Sequence, residues 1–310
     1  MIAVLAPGQG AQTPGMLAPW LDDRASAALL SDLSAAADLD LADLGTNADA
    51  ETIKDTALAQ PLIVASSILA FRALEARSPG LAPSVAAGHS VGELAALAVA
   101  GVLSDVDAVR LVAARGRAMA DASAVTPTGM SAVVGGDAAE VTAAIEAAGL
   151  TAANVNGGGQ IVAAGTLEQL AAFAEQPPAK ARVVPLAVAG AFHTEHMRPA
   201  LDAVAAAASG LTTADPRTAL LSNRDGAEVS AGTEALARVV AQVANPVRWD
   251  LCCETILARG VTAAVELAPA GVLTRLAKRT LPGVTVRPLS TPDDLLAAAE
   301  LADSDTEGAS

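Results

Sequence analysis

Aromatic residues make up only 2% of this 310-residue chain, and tyrosine is absent altogether. The core must therefore be built from alanine, leucine and valine, and 52% hydrophobic residues supply ample material for it. Cysteine is nearly as scarce. The two present, Cys252 and Cys253, are adjacent, a spacing that rarely closes into a relaxed disulfide and matches no metal-ligand pattern. Neither a metal site nor a disulfide framework is expected, and a reducing cytoplasm is the expected compartment. Basic residues are outnumbered, with 19 Lys and Arg against 34 Asp and Glu. The resulting formal charge of −15 disfavours nucleic acid and anionic membranes as partners. Mean hydropathy is +0.43, yet apolar runs such as Leu94 to Leu103 stop short of the ~18 residues of a spanning helix. The N-terminal stretch Met1 to Pro7 has no basic region and reads as a buried strand rather than a signal peptide.

Helical and strand-like segments alternate, which predicts an α/β fold with a mainly parallel, α/β-hydrolase-like sheet. Ile2 to Ala6 and Ser84 to Gly88 read as strands, Pro61 to Arg77 as a helix, and a further helix opens at Ser90. Ser104 and Asp107 have capping-box spacing and start another helix running to about Ala120. From Thr126 to Leu186 the rhythm changes to strand, helix, strand, strand, helix, strand, the βαββαβ order of a ferredoxin-like unit. The chain is therefore divided into a large α/β catalytic domain, residues 1–124 and 190–310, and a small ferredoxin-like subdomain, residues 125–189. After Gly190 strands are expected at Ala219 to Ser222 and Ala263 to Leu267. Helices are expected at Thr233 to Ala244, Trp249 to Arg259 and Val272 to Thr280. Thr291-Pro292 begins a last helix, and the polar tail from Asp303 to Ser310 is expected to fray.

Gly88-His89-Ser90-Val91-Gly92 is the strongest chemical signal. It follows a strand and precedes a helix, the setting of a Gly-x-Ser-x-Gly nucleophile elbow. The serine hydroxyl then stands at a helix start, where unpaired N–H groups can steady an oxyanion. A plain glycine-containing turn with a surface serine is the alternative. Such a serine needs a base, and only three histidines exist: His89, His193 and His196. His89 adjoins Ser90, so its side chain should diverge from the hydroxyl and pack or hydrogen-bond beside the elbow. His196 sits among polar residues and reads as solvated. His193 follows the apolar run Val188 to Phe192, where the small subdomain hands back to the large one, and is taken as the base.

Motifs along almost the whole chain resemble those of bacterial malonyl-CoA:acyl-carrier-protein transacylases, and more broadly the acyltransferases of fatty acid and polyketide synthesis. They are Pro7 to Gln12, Gly88 to Glu93, Arg115-Gly116, Asn154-Val155-Asn156 with Gln160 and Gly165, Gly190 to Thr194, Gln242 with Asn245-Pro246-Val247, and Pro269 to Leu273. The resemblance implies a Ser90 acyl-enzyme, with His193 as general base and acid. It implies an oxyanion hole from the Gln9 and Val91 backbone N–H groups, and His193 oriented by the main-chain carbonyl of Gln242. Arg115 would hold the free carboxylate of malonate, and Asn154 would join it on the substrate-binding surface. Arg115 lies four residues from both Leu111 and Met119, on a partly apolar helix face. Read from the helix alone it would be an arginine snorkelling to water; the resemblance makes it a carboxylate ligand. Phe192 before the histidine accompanies malonyl use in the family, because the ring crowds an α-methyl branch; a core phenylalanine without substrate contact is the alternative. Two departures stand out: Pro269-Ala270-Gly271 replaces a usual Gly-Pro-Gly, and Asn156-Gly157-Gly158-Gly159 lacks a frequent Ser-Pro pair, which predicts a looser turn.

The expected activity is ping-pong transfer of malonyl from malonyl-CoA to the phosphopantetheine thiol of a separate acyl carrier protein, with no cofactor. A serine esterase or thioester hydrolase is the competing reading. It fits less well, because 117 residues follow His193 and no His-Gly-Gly-Gly motif occurs. A catalytically silent scaffold is a third, opposed by the intact Ser90 and His193. Lys180 with Arg182, and Arg275 with Lys278 and Arg279, are candidate docking clusters or ordinary surface charge. A monomer is the working expectation, though nothing in the sequence fixes the oligomeric state.

Overall fold

A computed structural model describes the backbone of residues 1–307 and the side chains of residues 1–301. The first strand, β1 (Ile2–Ala6), is buried throughout, and its pleat divides it between two cores. Ile2, Val4 and Ala6 face one and Ala3 and Leu5 the other, so a run with no polar residue is what a strand covered on both faces requires. Helices α1 (Arg24–Ala37) and α2 (Leu41–Asn47) follow, each started by an aspartate whose carboxylate accepts a backbone N–H, Asp23 from Ser26 and Asp40 from Asp43. α3 (Thr56–Arg77) begins five residues earlier than Pro61 suggests. Asp55 caps it by accepting the Ala57 N–H, and the proline is carried inside the helix. This helix is long and apolar enough to cross a membrane, which corrects the expectation from shorter runs. However, 78% of its apolar window is buried inside the protein, as befits a core helix.

β2 (Val85–Gly88) runs into the elbow, and α4 (Gly92–Val99) starts at Gly92, two residues after the serine. α5 (Asp105–Ser123) has the expected Ser104 cap, which accepts the Asp107 N–H. Then come β3 (Thr128–Gly135), α6 (Ala138–Ala147), β4 (Thr151–Gly157), β5 (Gln160–Thr166), α7 (Leu167–Glu175) and β6 (Ala181–Pro185). The remaining elements are α8 (Leu201–Ser209), β7 (Ala219–Leu221), β8 (Glu228–Val229), α9 (Gly232–Gln242), β9 (Val247–Arg248), α10 (Trp249–Ala258), β10 (Ala263–Leu267), α11 (Val272–Thr280), β11 (Thr285–Leu289) and α12 (Leu295–Glu307). The backbone of 303–307 continues α12, where a frayed tail was expected, and 308–310 lie outside the described residues.

The strands form two sheets. The larger has the order β11-β10-β1-β2-β7-β8 and is parallel except for the short edge strand β8. The smaller has the order β6-β3-β5-β4-β9. Its first four strands are antiparallel neighbours in the ferredoxin-like arrangement, with α6 and α7 supplying Val141, Ile145, Leu170 and Phe173 to a core of their own. Its fifth strand comes from outside residues 125–189: Asn154 pairs in parallel with Val247, and Val155 with Arg248.

The β4–β5 connection is tighter than expected. Gly157, Gly158 and Gly159 all have left-handed backbones, with φ of 75°, 55° and 75°. A Cβ at Gly158 would sit 2.8 Å from that of Arg279, so the turn is pressed onto the end of α11. The start of α11 is fixed by Glu266 on β10, whose buried carboxylate accepts the N–H groups of Gly271, Leu273 and Thr274 and the Thr274 hydroxyl, at 2.6–2.8 Å.

The carboxyl ends of four neighbouring parallel strands thus converge: Gln9 follows β1, Ser90 follows β2, Asn223 follows β7 and Gly271 follows β10. Open α/β sheets place their sites at such ends. Close approach there depends on glycine. A Cβ at Gly92 would lie 2.3 Å from the Ala6 carbonyl oxygen and 2.7 Å from that of Pro7, both backbone atoms that cannot swing aside. Gly92→Ala is therefore expected to cost about 1–3 kcal/mol of stability through overpacking, read as a lower urea midpoint at unchanged m-value. A midpoint equal to the parent's would show that α4 can lift off β1 freely.

Candidate active site

The elbow places Ser90 in the left-handed region, φ 52°, which exposes its side chain at the apex between β2 and α4. Its Oγ lies 2.6 Å from His193 Nε2, although 103 residues separate the two in sequence. His193 also has a left-handed backbone, φ 62°. Its loop is pinned on both sides: the Ala191 N–H donates to Thr128 Oγ1 at 3.0 Å, and the Thr194 hydroxyl donates to the Ala191 carbonyl at 2.7 Å. His193 Nδ1 lies 2.8 Å from the main-chain carbonyl oxygen of Gln242. A carbonyl can only accept, so Nδ1 carries the hydrogen and Nε2 is left as the acceptor facing the serine hydroxyl.

A cavity of about 500 Å³ opens over this pair. Gly8 and Gln9 reach it from the loop after β1, His89 and Ser90 from the elbow, and Asn154 and Asn156 from β4. Phe192 and His193 line it from their loop, and α11 contributes Val272, Arg275 and Arg279. Among the described residues, the backbone N–H groups of Gln9 and Val91 have no protein acceptor, as an oxyanion hole requires. Val91, Arg115 and Gln242 are buried and are not among the residues that line it. His89 is bonded and packed as expected: Nε2 lies 2.8 Å from Asn156 Oδ1, and its ring meets that of Trp249 edge-on at 5.6 Å. His196 is half-buried, and its N–H donates to Thr194 Oγ1 at the start of a short turn. Lys180 and Arg182 are exposed and away from the cavity, whereas Arg275 and Arg279 are exposed and line it.

The sequence of the acyl transferase domain, as a family profile, matches residues 4–293. The chain belongs to the acyl transferase family. It is 56% identical over 302 residues to the malonyl CoA-acyl carrier protein transacylase of Mycobacterium tuberculosis, covering 97% of this chain and 100% of that one. The crystal structure of MCAT from Mycobacterium tuberculosis superposes with a TM-score of 0.93 at 55% identity, over 96% of this chain and 99% of that one. A type II PKS acyl-carrier protein in complex with its malonyl-transacylase gives 0.89 at 30% identity, over 96% and 99%.

In this acyl transferase a buried polar network lies beneath the Ser90–His193 pair, and two of its members, Gln60 and Asn223, are absent from the motifs. Arg115 donates from Nη1 to Gln60 Oε1 at 2.7 Å and from Nη2 to Gln242 Oε1 at 3.0 Å, while its Nε has no partner among the described residues. The Gln242 side-chain amide donates to Glu93 and, at 3.3 Å, to the Ser90 carbonyl. Glu93 also accepts the Asn223 N–H at 2.7 Å. Gln60 and Asn223 had no place in the motifs, and Glu93 stood there only as the last residue of the elbow motif, with no role assigned. The signal available for Glu93 was its being the one charge in the apolar α4, whereas Gln60 shares α3 with the polar Thr56, Ser66 and Ser67 and does not stand out.

Burial sets the protonation states. Loss of hydration, with the Arg115 charge nearby, pushes the His193 imidazole down to about 3 from its ordinary 6.5. It is therefore neutral across the physiological range. Burial pushes the Glu93 carboxyl up to about 8, against the hydrogen bond from Asn223 and the attraction of Arg115. It also lowers Arg115 to about 10, which leaves the guanidinium charged at neutral pH. Because folded His193 binds protons less readily than the unfolded chain between about 3 and 6.5, its contribution to stability is full above that window and is lost as pH falls through it. Labelling of Ser90 by a small neutral sulfonyl fluoride should keep a constant rate from about pH 8 down to about pH 5. A sigmoid centred near the unperturbed imidazole value of about 6.5 would show that His193 is solvated rather than buried.

Proposed function

We infer that the protein transfers a malonyl group from malonyl-CoA to the phosphopantetheine thiol of an acyl carrier protein, through an ester on Ser90, in fatty acid or polyketide synthesis. What carries the reading is the 2.6 Å contact between Ser90 Oγ and a histidine whose other nitrogen is tied to a carbonyl, at the base of a cavity in an acyl transferase chain. The 56% identical relative bears the malonyl transfer activity in its name, and a related fold has been captured with an acyl carrier protein.

In the proposed first half-reaction, Ser90 Oγ attacks the thioester carbon while its proton passes to His193 Nε2. The carbonyl oxygen gains negative charge and is met by the N–H groups of Gln9 and Val91. The C–S bond then breaks, and coenzyme A leaves as the thiol with the proton returned by His193. In the second half, the carrier's thiol gives its proton to His193 and attacks the Ser90 ester. Ser90 Oγ departs and recovers that proton. The Gln242 carbonyl steadies the transient imidazolium in place of the carboxylate of a Ser-His-Asp triad. A thioester is already activated, so these steps call for no metal or cofactor.

The malonyl carboxylate is proposed to meet Arg115. A buried guanidinium with an unpartnered Nε and two neutral amide partners has unspent donor capacity for an anion. Phe192 and Asn154, both on the cavity lining, are proposed to shape the acyl space. Arg275 and Arg279 at the cavity supply local positive charge against an overall −15, and are proposed to meet phosphates of the incoming arm. A cytoplasmic, monomeric enzyme is the proposed form; Cys252 and Cys253 are both free and buried.

Ser90→Ala should lower transfer from labelled malonyl-CoA to carrier protein by a factor on the order of 10⁴ or more. Mass spectrometry of the parent should find the malonyl ester on Ser90, and finding it elsewhere would reassign the nucleophile. Arg115→Ala should slow malonyl transfer roughly 100-fold while transfer of an uncharged acetyl group changes little. Equal losses for both acyl groups would remove Arg115 from carboxylate recognition.

A further inference from the structure

We infer that Asn223 is a positioning residue for the nucleophile: its buried amide clips the peptide groups around Ser90 and thereby aims both the serine hydroxyl and the Val91 N–H. The inference rests on the reading of Ser90 as the nucleophile. Asn223 follows β7, the strand next to β2, and is fully buried. Its Oδ1 accepts the Ser90 N–H at 2.7 Å, and its Nδ2 donates to the Gly88 carbonyl at 2.8 Å. Oδ1 also receives Gln242 Nε2 at 3.2 Å, and Nδ2 also lies 3.6 Å from Cys252 Sγ. The residue's own backbone is held as firmly: its N–H donates to Glu93 Oε1 at 2.7 Å, and its carbonyl accepts the Arg248 N–H at 2.7 Å. An asparagine side chain offers two donors and two acceptor sites: the Ser90 N–H and the Gly88 carbonyl take one of each, Cys252 Sγ approaches the second donor, and the Gln242 amide, which shares its two hydrogens among three acceptors, approaches the second acceptor site.

The chemistry follows from peptide planarity. A rigid amide plane carries its N–H and C=O on opposite edges, so fixing one edge aims the other. In the His89–Ser90 peptide, the carbonyl accepts the Gly92 N–H at 2.9 Å and the N–H is taken by Asn223. In the Ser90–Val91 peptide, the carbonyl accepts the Glu93 N–H at 2.9 Å and Gln242 Nε2 at 3.3 Å, which points the free Val91 N–H the other way. A side-chain-bearing residue with φ of 52° holds that conformation only where its surroundings leave no alternative, and Asn223 supplies the restraint on the strand side. Only an amide of this length fits both tasks, because Ser90 needs an acceptor and Gly88 needs a donor. An ionised aspartate would set an oxygen against the Gly88 carbonyl, whereas a protonated one would restore the donor.

That last property gives the test. The titratable groups around the amide are Glu93 from α4, Cys252 from α10, Arg238 from α9 and Arg115 from α5, with His193 beyond Ser90. The 310-residue chain with Asn223→Ala should unfold cooperatively, yet acylate Ser90 from malonyl-CoA about 100-fold more slowly, with half-saturation unchanged within about threefold. Asn223→Asp should match the alanine variant near pH 8.5 and regain at least about tenfold, relative to the parent, as pH is lowered toward about 6. In the parent, the Ser90 amide proton should be protected from solvent exchange. An alanine variant within about threefold of the parent rate overturns the clip, as does an aspartate variant whose ratio to the parent is flat with pH. Should neither variant fold, a Ser90 amide in the parent exchanging as fast as a free amide overturns it as well. A parent that forms no malonyl ester on Ser90 would instead sink the reading of the nucleophile, so the two failures are told apart.

Discussion

A hydroxyl can be lifted out of a strand-to-helix turn only if the residue bearing it takes a left-handed backbone, and the rest of the site is arranged around holding Ser90 there. The turn is so tight that Gly88 and Gly92 have no room for a Cβ; one on Gly88 would lie 2.0 Å from the Gly92 carbonyl carbon. Such conformations cost about 1–3 kcal/mol each and persist where their surroundings over-determine them. Here the determinants come from four different elements, Asn223 after β7, Gln242 from α9, Glu93 from α4 and the Ala6 carbonyl of β1, which accepts the His89 N–H. His193, the partner across the cavity, is held in a left-handed conformation too, between Thr128 and Thr194. Ser90 and His193 therefore both stand in geometries that the chain would not adopt unaided.

Gln242 is the joint between these parts. Its main-chain oxygen sets the His193 ring, its amide nitrogen reaches Glu93 and the Ser90 carbonyl, and its amide oxygen takes Arg115. One residue thus links the base, the elbow and the cation. Using a carbonyl as the histidine's acceptor has an electrostatic consequence. A carboxylate at that place would raise the basicity of the ring, whereas a carbonyl leaves burial dominant and the imidazole neutral. On the proposed mechanism, a neutral ring suits a base that accepts a proton from a serine and later from a thiol. The buried Glu93 carboxyl and Arg115 guanidinium lie one layer below and are joined through amides.

Much of the fold could be read from the sequence because period and punctuation agree. The βαββαβ rhythm of 128–185, the Ser104 cap and α11 at Val272–Thr280 emerge as expected. The misreadings have physical causes. Pro61 resembles a helix start because its missing N–H is harmless there, but the Asp55 cap lies upstream and the packed core tolerates the proline within. A strand of two residues such as β9 carries no periodicity to detect. The three consecutive glycines looked like slack, yet their positive φ values and contact with α11 make the turn specific. At the site, Ser90 and His193 were legible because elbow chemistry and a scarcity of histidines single them out. The Gln242 carbonyl was reachable only through family resemblance, since a main-chain oxygen leaves no mark on residue identity. Asn223 and Gln60 were hidden for a related reason: their importance lies in which distant groups they meet.

The two-residue strand β9 bears on how reactants arrive. It joins the small sheet at Asn154 and Val155, on the cavity side, and departs from the helix end that carries Gln242. The ferredoxin-like unit is thereby stitched to the body by main-chain bonds beside the reacting atoms, and swinging it aside would tear out the histidine's anchor. Coenzyme A and a carrier's prosthetic arm share one slender chain between bulky head and acyl tip, so on the proposed reaction the same cavity serves both.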